Sequence, residues 1–330
     1  MNDDSWVWSR YWQYDRVASC MDGAGATNYD EEVAQGWRDF FESLTPHTDI
    51  LDLCTGNGAI ALIAAEVSRR KAGGMAITGV DKAQIDPAAH VTKFRQDLDA
   101  IRFMAGVAAE DLPFADCSFG AVVSQFGIEY SDTHRSGAEV IRVLAPGGRV
   151  RLVVHAAEGA IAAGTKEVLS EADFLLEESD LPGVAARCLE AVIAVERNPG
   201  ASAQARTLAE QQVRNFREAL ARAAERLKHA TDKAMIRNTA SVLADTYKKR
   251  GYFELPELLA KVEEVRTEIV AHRGRSIALA NAAVSEEGLR ALCDQWGAAG
   301  LELTYSPLHK RERLIGYVVN GTKGVTGAAS

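Results

Sequence analysis

Residues 48–60 read TDILDLCTGNGAI, and they constrain this 330-residue chain more than any other stretch. Ile50, Leu51 and Leu53 form an apolar run interrupted only by Asp52. A Gly-rich turn, Gly56-Asn57-Gly58, then opens an Ala-rich apolar run from Ala59 to Val67. Apolarity on both sides of so short a segment predicts a buried strand of a parallel sheet, followed by a tight turn and the start of a helix. Glycine has no Cβ, so a ligand can lie against the main chain there while free N–H groups of the helix start point at it. The same strand, turn and helix can also be a plain α/β connection. The next strand of the chain separates the two.

Residues 75–81, MAITGVD, form a second apolar strand that ends in an acid. In nucleotide-binding α/β sheets an acid at that place accepts both ribose hydroxyls, and it stands about twenty residues beyond the turn. The spacing also suits a dinucleotide fold, but the glycines do not. G-x-G-x-x-G is required, and the chain has Cys54-Thr55-Gly56-Asn57-Gly58-Ala59-Ile60-Ala61, without the first and third glycines. An NAD-binding protein is therefore the runner-up.

Four stretches in order, ILDLCTGNG, TGVD, AEDLPFADCSFGAVVSQFGIEY and VLAPGGRVRLVV, make the chain resemble a class I S-adenosylmethionine (AdoMet)-dependent methyltransferase of the small-molecule, ubiquinone/menaquinone-methyltransferase-like type. The resemblance covers roughly residues 49–155 and resumes more weakly near Ser285. It implies an α/β fold with a Rossmann-like, seven-stranded, doubly wound sheet whose last strand is antiparallel, an N-terminal helical lid, and AdoMet as cofactor. It also implies roles for residues. Asp52 positions the methionyl amino group, where its plain alternative is capping the neighbouring backbone, and Asp81 takes the ribose. Cys54 stands where many relatives carry Gly. Ala108 stands where many carry an Asp for the adenine amino group, which leaves the Ala109 backbone and the Glu110 side chain as substitutes. The expected cofactor set is Asp52, Cys54, Gly56, Asn57, Gly58, Asp81, Lys82, Ala109, Glu110, Gln125 and Phe126, with Tyr11 reaching in from the lid.

Length and composition bound the rest. A chain of 330 residues exceeds the usual single core, so an insertion or second domain is expected. No apolar stretch is long enough to span a bilayer, and Asp3 and Asp4 sit where a signal peptide would need basic residues. The five cysteines are scattered and no C-x-x-C occurs, which argues against a metal cluster or a disulfide framework and for a cytoplasmic protein with reduced thiols. A net charge of −9 argues against a nucleic-acid partner, because affinity there comes largely from neutralising phosphates.

The chain divides by pattern into five segments. Residues 1–45 are the N-terminal helical lid. Trp6, Trp8, Tyr11, Trp12 and Tyr14 crowd its first part, either packing on a core or covering a cationic cofactor. A hinge-like break at residues 22–27 precedes an amphipathic helix with Val33, Trp37, Phe40, Phe41 and Leu44 on one stripe. Residues 46–155 are the cofactor-binding core, with strands at 101–105, 121–125 and 149–154, a helix at 137–144 and a turn at 146–148. Residues 156–284 read as a large all-helical insertion after strand five. Leu208, Val213, Phe216, Leu220 and Leu227 form one stripe; Leu259, Val262, Val265 and Ile269 form another. That insertion reads as plain scaffolding, a substrate-selecting cap or a homodimer surface. Residues 285–320 complete the core with a helix opened by Ser285 and strands at 301–305 and 314–319, joined across 306–313. Residues 321–330 read as a flexible tail.

The loop after strand four, from Phe126 to Asp132, should face the transferred methyl group, since ligands of doubly wound sheets lie at the carboxyl ends of strands. It lacks the Asn-Pro-Pro-aromatic pattern of amino-methylating DNA enzymes and any Pro-Cys pair, so a small-molecule acceptor with an O, N or C nucleophile is the expectation. A protein or RNA methyltransferase docking through the insertion, or a non-catalytic AdoMet-binding module, are the alternatives. For a general base, His155 directly after strand five ranks first, with His134 and Glu129 as rivals and His309 behind them.

Overall fold

A computed structural model describes residues 5–20, 27–71, 74–229 and 234–325 of the chain. The expected hinge-like break at 22–27 and the end of the expected tail, 326–330, lie almost wholly outside the described residues. Two compact units are present, one comprising Met1–Ala163 with Ala278–Ser330, the other Gly164–Ile277.

The first unit opens with α1 (Ser5–Trp12) and α2 (Glu31–Glu42) and continues through β1 (Asp49–Leu53), α3 (Ala59–Arg70) and β2 (Ala76–Asp81). Two single-turn helices, α4 (Pro87–His90) and α5 (Arg95–Leu98), lead into β3 (Ile101–Ala105). Then come β4 (Phe119–Gln125), a 3-10 turn at Ile128–Tyr130, α6 (Thr133–Val143) and β5 (Leu144–His155). The seven-stranded sheet has the order β3-β2-β1-β4-β5-β7-β6, where β6 is Leu301–Lys310 and β7 is Arg313–Lys323. The first five strands pair in parallel, and β7 runs antiparallel to both β5 and β6. This is the doubly wound, Rossmann-like sheet with an antiparallel last strand that the motifs implied.

Period-2 alternation assigns each strand residue to one of two layers. Ile50, Ala121, Val123 and Val153 face the side covered by α2 and α3, where Trp37, Phe40 and Phe41 pack. Leu51, Leu53, Val122, Leu152 and Val154 face the side covered by α6 and by α12 (Glu286–Ala298), where Leu289, Leu292 and Trp296 pack. Each of these large side chains contributes roughly 1.5–3 kcal/mol by leaving water. The stripe read on residues 33–44 is buried in full.

Several boundaries move. The helix expected at 137–144 begins at Thr133, because Asp132 caps it: its Oδ1 accepts from the backbone N–H groups of His134 and Arg135 at 3.1 and 3.3 Å. β5 begins at Leu144, with residues 145–148 bulging between the pairs Phe119–Leu144 and Ala121–Arg149. Ser285 caps α12 by accepting from Gly288 N–H at 3.1 Å; the third helical residue is glycine, so the reciprocal half of a capping box is missing. Residues 321–323, read as tail, are the end of β7, paired with Leu301, Glu302 and Leu303.

The second unit is helical. It holds most of α7 (Ala160–Asp173), a π turn at Phe174–Glu178, α8 (Leu181–Glu196), α9 (Ala203–His229), α10 (Ala234–Lys248) and most of α11 (Leu255–Ala282). Its core gathers Phe174, Leu189, Ile193, Phe216, Leu243, Val262 and Ile269 and contains no residue of the sheet's two layers. The stripe on α9 starts one position later than expected. Leu208 is 53% exposed, and Ala209 is buried in its place. The chain leaves and re-enters the first unit at one point: Val284 N–H donates to His155 O at 2.8 Å, and Ala157 N–H donates to Val284 O at 3.0 Å. Among the described residues, no helix is long and apolar enough to cross a membrane.

The β6–β7 connection is far tighter than the expected 306–313 loop. Lys310 pairs with Arg313, and the two intervening residues, Arg311 (φ 47°) and Glu312 (φ 63°), are both left-handed. A two-residue loop with both φ values positive is the hairpin turn that favours Asn-Gly. Replacing Arg311-Glu312 by Asn-Gly should therefore stabilise the protein by about 0.5–2 kcal/mol. Denaturant unfolding checks this, and an unchanged or lowered midpoint would reject the two-residue turn.

Candidate active site

The cavity that matters is built by the carboxyl ends of β1, β2 and β4. Past the end of β1 the chain turns through Cys54 (φ 54°) and Gly56 (φ 54°) before Gly58 (φ 85°) starts α3. The turn is held from two sides. Asp81, at the end of β2, accepts Gly56 N–H on Oδ2 and Ala83 N–H on Oδ1, both at 2.8 Å. Asp52, on β1, accepts Thr55 Oγ1–H at 2.6 Å, and Thr55 N–H donates to Val80 O at 3.0 Å. Both carboxylates are buried, at 1% and 9% exposure. Burial pushes Asp52 up to about 7 against the hydrogen bond from Thr55, and pushes Asp81 up to about 6 against its two backbone donors.

The close approach that the turn glycines permit is taken by aromatic rings. A Cβ on Gly56 would stand 2.3 Å from the Trp12 indole, and one on Gly58 would stand 2.7 Å from the Phe103 ring. Asn57 is fully buried, and its Nδ2 donates to Trp12 O at 3.0 Å and Arg16 O at 2.8 Å. Asn57 thereby ties the N-terminal segment to the turn. Tyr11 lies edge-on to Trp12 at 4.8 Å and takes the Arg16 guanidinium over its face at 4.0 Å. The N-terminal rings both pack on this core and wall the cavity, since Trp8 and Trp12 line it.

The cavity measures about 660 Å³. Asp52, Cys54, Asp81, Lys82, Ala109, Glu110, Gln125 and Phe126 line it, whereas Gly56, Asn57, Gly58 and Tyr11 support it from behind. Ala108 also lines it, and Glu110 Oε1 accepts the backbone N–H of Asp132 at 3.0 Å. Gln125 accepts the Trp37 indole N–H on Oε1. Phe126 is left-handed (φ 53°), which turns its ring onto His155 with centroids 4.2 Å apart.

The three base candidates part company. His155 and Glu129 are brought together, with His155 Nδ1 2.7 Å from Glu129 Oε1, but both are buried and neither lines the cavity. His134 lies exposed in the first turn of α6, and His309 lies exposed on β6. The residue that sequence reading passed over is Cys20. It lines the cavity, and its Sγ lies 3.3 Å from His155 Nε2. Cys20 and His155 are 135 positions apart, so no spacing signal joins them. Tyr29 and Tyr130 also line the cavity and were likewise not singled out.

The donor set suits AdoMet, whose sulfonium and amino group are cationic and whose ribose needs acceptors. Two buried carboxylates at adjacent strand ends offer both, and lone pairs on each remain after the hydrogen bonds above.

Comparison with known proteins finds likeness over the part of the chain that carries the parallel strands. Residues 50–148 match the model of the methyltransferase domain family. The ubiquinone/menaquinone biosynthesis C-methyltransferase of Geotalea daltonii is 36% identical over 123 residues, 36% of this chain and 51% of that protein. The demethylmenaquinone methyltransferase of Thermus thermophilus is 36% identical over 104 residues, 31% of this chain and 44% of that one. The chloroplastic 2-phytyl-1,4-beta-naphthoquinone methyltransferase of Arabidopsis thaliana is 36% identical over 110 residues, 32% and 40% respectively. The chain thus spans about half the length, or less, of the curated relatives it matches. By this match residues 50–148 form a methyltransferase domain, and the strand order and paired strand-end carboxylates make the chain similar to the class I S-adenosylmethionine-dependent methyltransferases.

Proposed function

We propose that the chain transfers a methyl group from AdoMet to a small, flat, oxygen-bearing ring compound. The observation that carries this reading is the convergence of Asp52 and Asp81 on one cavity beside the turn after β1. Bound AdoMet supplies a methyl group already activated on its sulfonium. The chain's task is then to align acceptor and methyl and to keep water out. Asp81 would hold the ribose and Asp52 the methionyl amino group. Trp8, Tyr29, Phe126 and Tyr130 give the cavity flat walls. The ring character of the acceptor is drawn from those walls and from the quinone compounds named for the relatives. The helical unit, residues 164–277, would select the acceptor; its separate core and the joined entry and exit at Val284 support an inserted role.

Asp81→Ala should lose most AdoMet affinity, because charged acceptor bonds contribute roughly 1.5–3 kcal/mol each. Calorimetric titration of the folded variant tests this, and unchanged affinity, or a wild-type preference for NAD, would sink the reading.

Binding should also depend on pH with a definite sign. In the free protein, Asp52 holds its proton up to about 7 and Asp81 up to about 6. A cationic ligand favours their ionised forms, so binding below about pH 7 releases protons, and affinity rises with pH there and levels off above it. Between pH 6 and 8 the association constant should climb several-fold, by at most roughly tenfold per pH unit for each proton released. Asp52→Asn should remove most of that slope. A flat wild-type profile would show that neither carboxylate meets the cofactor's charge.

Replacing residues 164–277 with a short linker should leave AdoMet binding largely intact and abolish acceptor turnover. Equal turnover without the segment would make the helical unit scaffolding or a subunit contact.

A further inference from the structure

Cys20, His155 and Glu129 come from three separate parts of the chain and form one hydrogen-bonded line. Cys20 Sγ lies 3.3 Å from His155 Nε2, and His155 Nδ1 lies 2.7 Å from Glu129 Oε1. The same carboxylate oxygen accepts the backbone N–H of His155 at 2.9 Å, and Phe126 stacks on one face of the imidazole. The ring is therefore held at both edges and on one face. The side chains of His155 and Glu129 are 1% and 0% exposed, while Cys20 is half-buried and lines the cavity. Of the three, only the thiol is placed to meet a ligand.

A sulfur beside an imidazole that is itself oriented by a carboxylate is the arrangement that activates a nucleophile. Burial by itself lowers the imidazole, but Cys20 and Glu129 outweigh it and raise it to about 10. The protonated ring sets an N–H group 3.3 Å from the sulfur. The titratable groups facing Cys20 are His155 from β5, Glu129 and Tyr130 from the turn after β4, and Tyr29 ahead of α2.

The same cavity has under-used donors. The Tyr130 hydroxyl and the Gln125 amide nitrogen, whose side chain also meets the Tyr29 hydroxyl, are buried without a hydrogen bond of ordinary geometry among the described residues, and both residues line the cavity. A buried donor left so is costly unless a ligand oxygen meets it. A nucleophile, under-used donors for an oxygen and flat aromatic walls together describe the site of addition to an unsaturated carbonyl.

We propose that Cys20 is a nucleophilic site, activated by His155 and Glu129, whose ligands are small conjugated carbonyl compounds. The sulfur bonds to the β-carbon, and the carbon–carbon π pair moves to the carbonyl oxygen as an enolate. Gln125 and Tyr130 donate to that oxygen. The proton that left the thiol ends on the α-carbon, so S–H adds across C=C and no oxidant or reductant is consumed. The inference stands on this cluster and does not require the methyl-transfer reading.

The test labels the full-length protein with limiting N-ethylmaleimide and quantifies each cysteine by peptide mass spectrometry. Exposed Cys117 serves as the internal reference. At pH 6 Cys20 should label about ten-fold faster than Cys117 or more. A wild-type Cys20 that labels no faster than Cys117 overturns the proposal without any variant. His155→Gln should remove the advantage of Cys20 over Cys117.

Iodoacetamide, which displaces iodide and forms no enolate, tests the ligand class. Tyr130→Phe and Gln125→Leu should each cut the maleimide rate at Cys20 by about ten-fold or more while leaving the iodoacetamide rate, as loss of an oxyanion donor would. No change, or equal loss with both reagents, overturns the carbonyl assignment. AdoMet titration of the same samples separates the two readings: intact cofactor binding with an ordinary Cys20 rejects this inference alone.

Discussion

Two acids buried at adjacent strand ends are the constraint around which the first unit is arranged. Ionising Asp52 where burial has raised it from 3.8 to about 7 costs on the order of 4 kcal/mol. Asp81 is raised less, to about 6, because two backbone N–H groups already meet its oxygens. Those same two bonds fasten the turn after β1 to the loop after β2. The acids are thus both the latch of the turn and a charged part of the cavity wall. A cationic ligand relieves the cost that the fold alone leaves standing.

The N-terminal segment belongs to that latch. Asn57 gives both its amide hydrogens to backbone carbonyls of Trp12 and Arg16, and the Trp12 indole occupies the space a Cβ on Gly56 would need. The turn therefore positions the segment, and the segment brings Trp8, Trp12 and Cys20 to the cavity. Its apolar and aromatic residues divide by burial: Val7 and Trp12 go inside, while Trp6 and Tyr14 stay exposed, at 42% and 40%. Ring packing and cavity wall are two consequences of one placement.

The helical unit follows a different logic. Its long amphipathic helices bury their stripes against one another, and the sheet keeps both of its own covering layers without them. The join between Val284 and the end of β5 lets more than a hundred residues enter and leave without breaking a strand pairing.

The succession of strands along the chain and the acids at the ends of β1 and β2 were legible in the sequence, because apolar runs, the glycine turn and a terminal acid are local signals, and the doubly wound sheet followed from the resemblance those stretches carry. So was the stripe on α2. The two-residue hairpin was not, because Arg311 and Glu312 occupy left-handed positions that Asn and Gly usually mark. Nor was the start of α6, where Asp132 acts as a cap although it reads as loop. His155 and Glu129 were singled out separately, but their 2.7 Å contact, their burial away from the cavity and the Cys20 thiol between them and the ligand space depend on the folded sheet. Residues 20, 129 and 155 share no period or motif. Sequence by itself determined which segments are buried and where charge ends a strand. Only tertiary structure decided which polar groups meet, because hydrogen-bonded partners far apart in the chain are chosen by packing and not by local pattern.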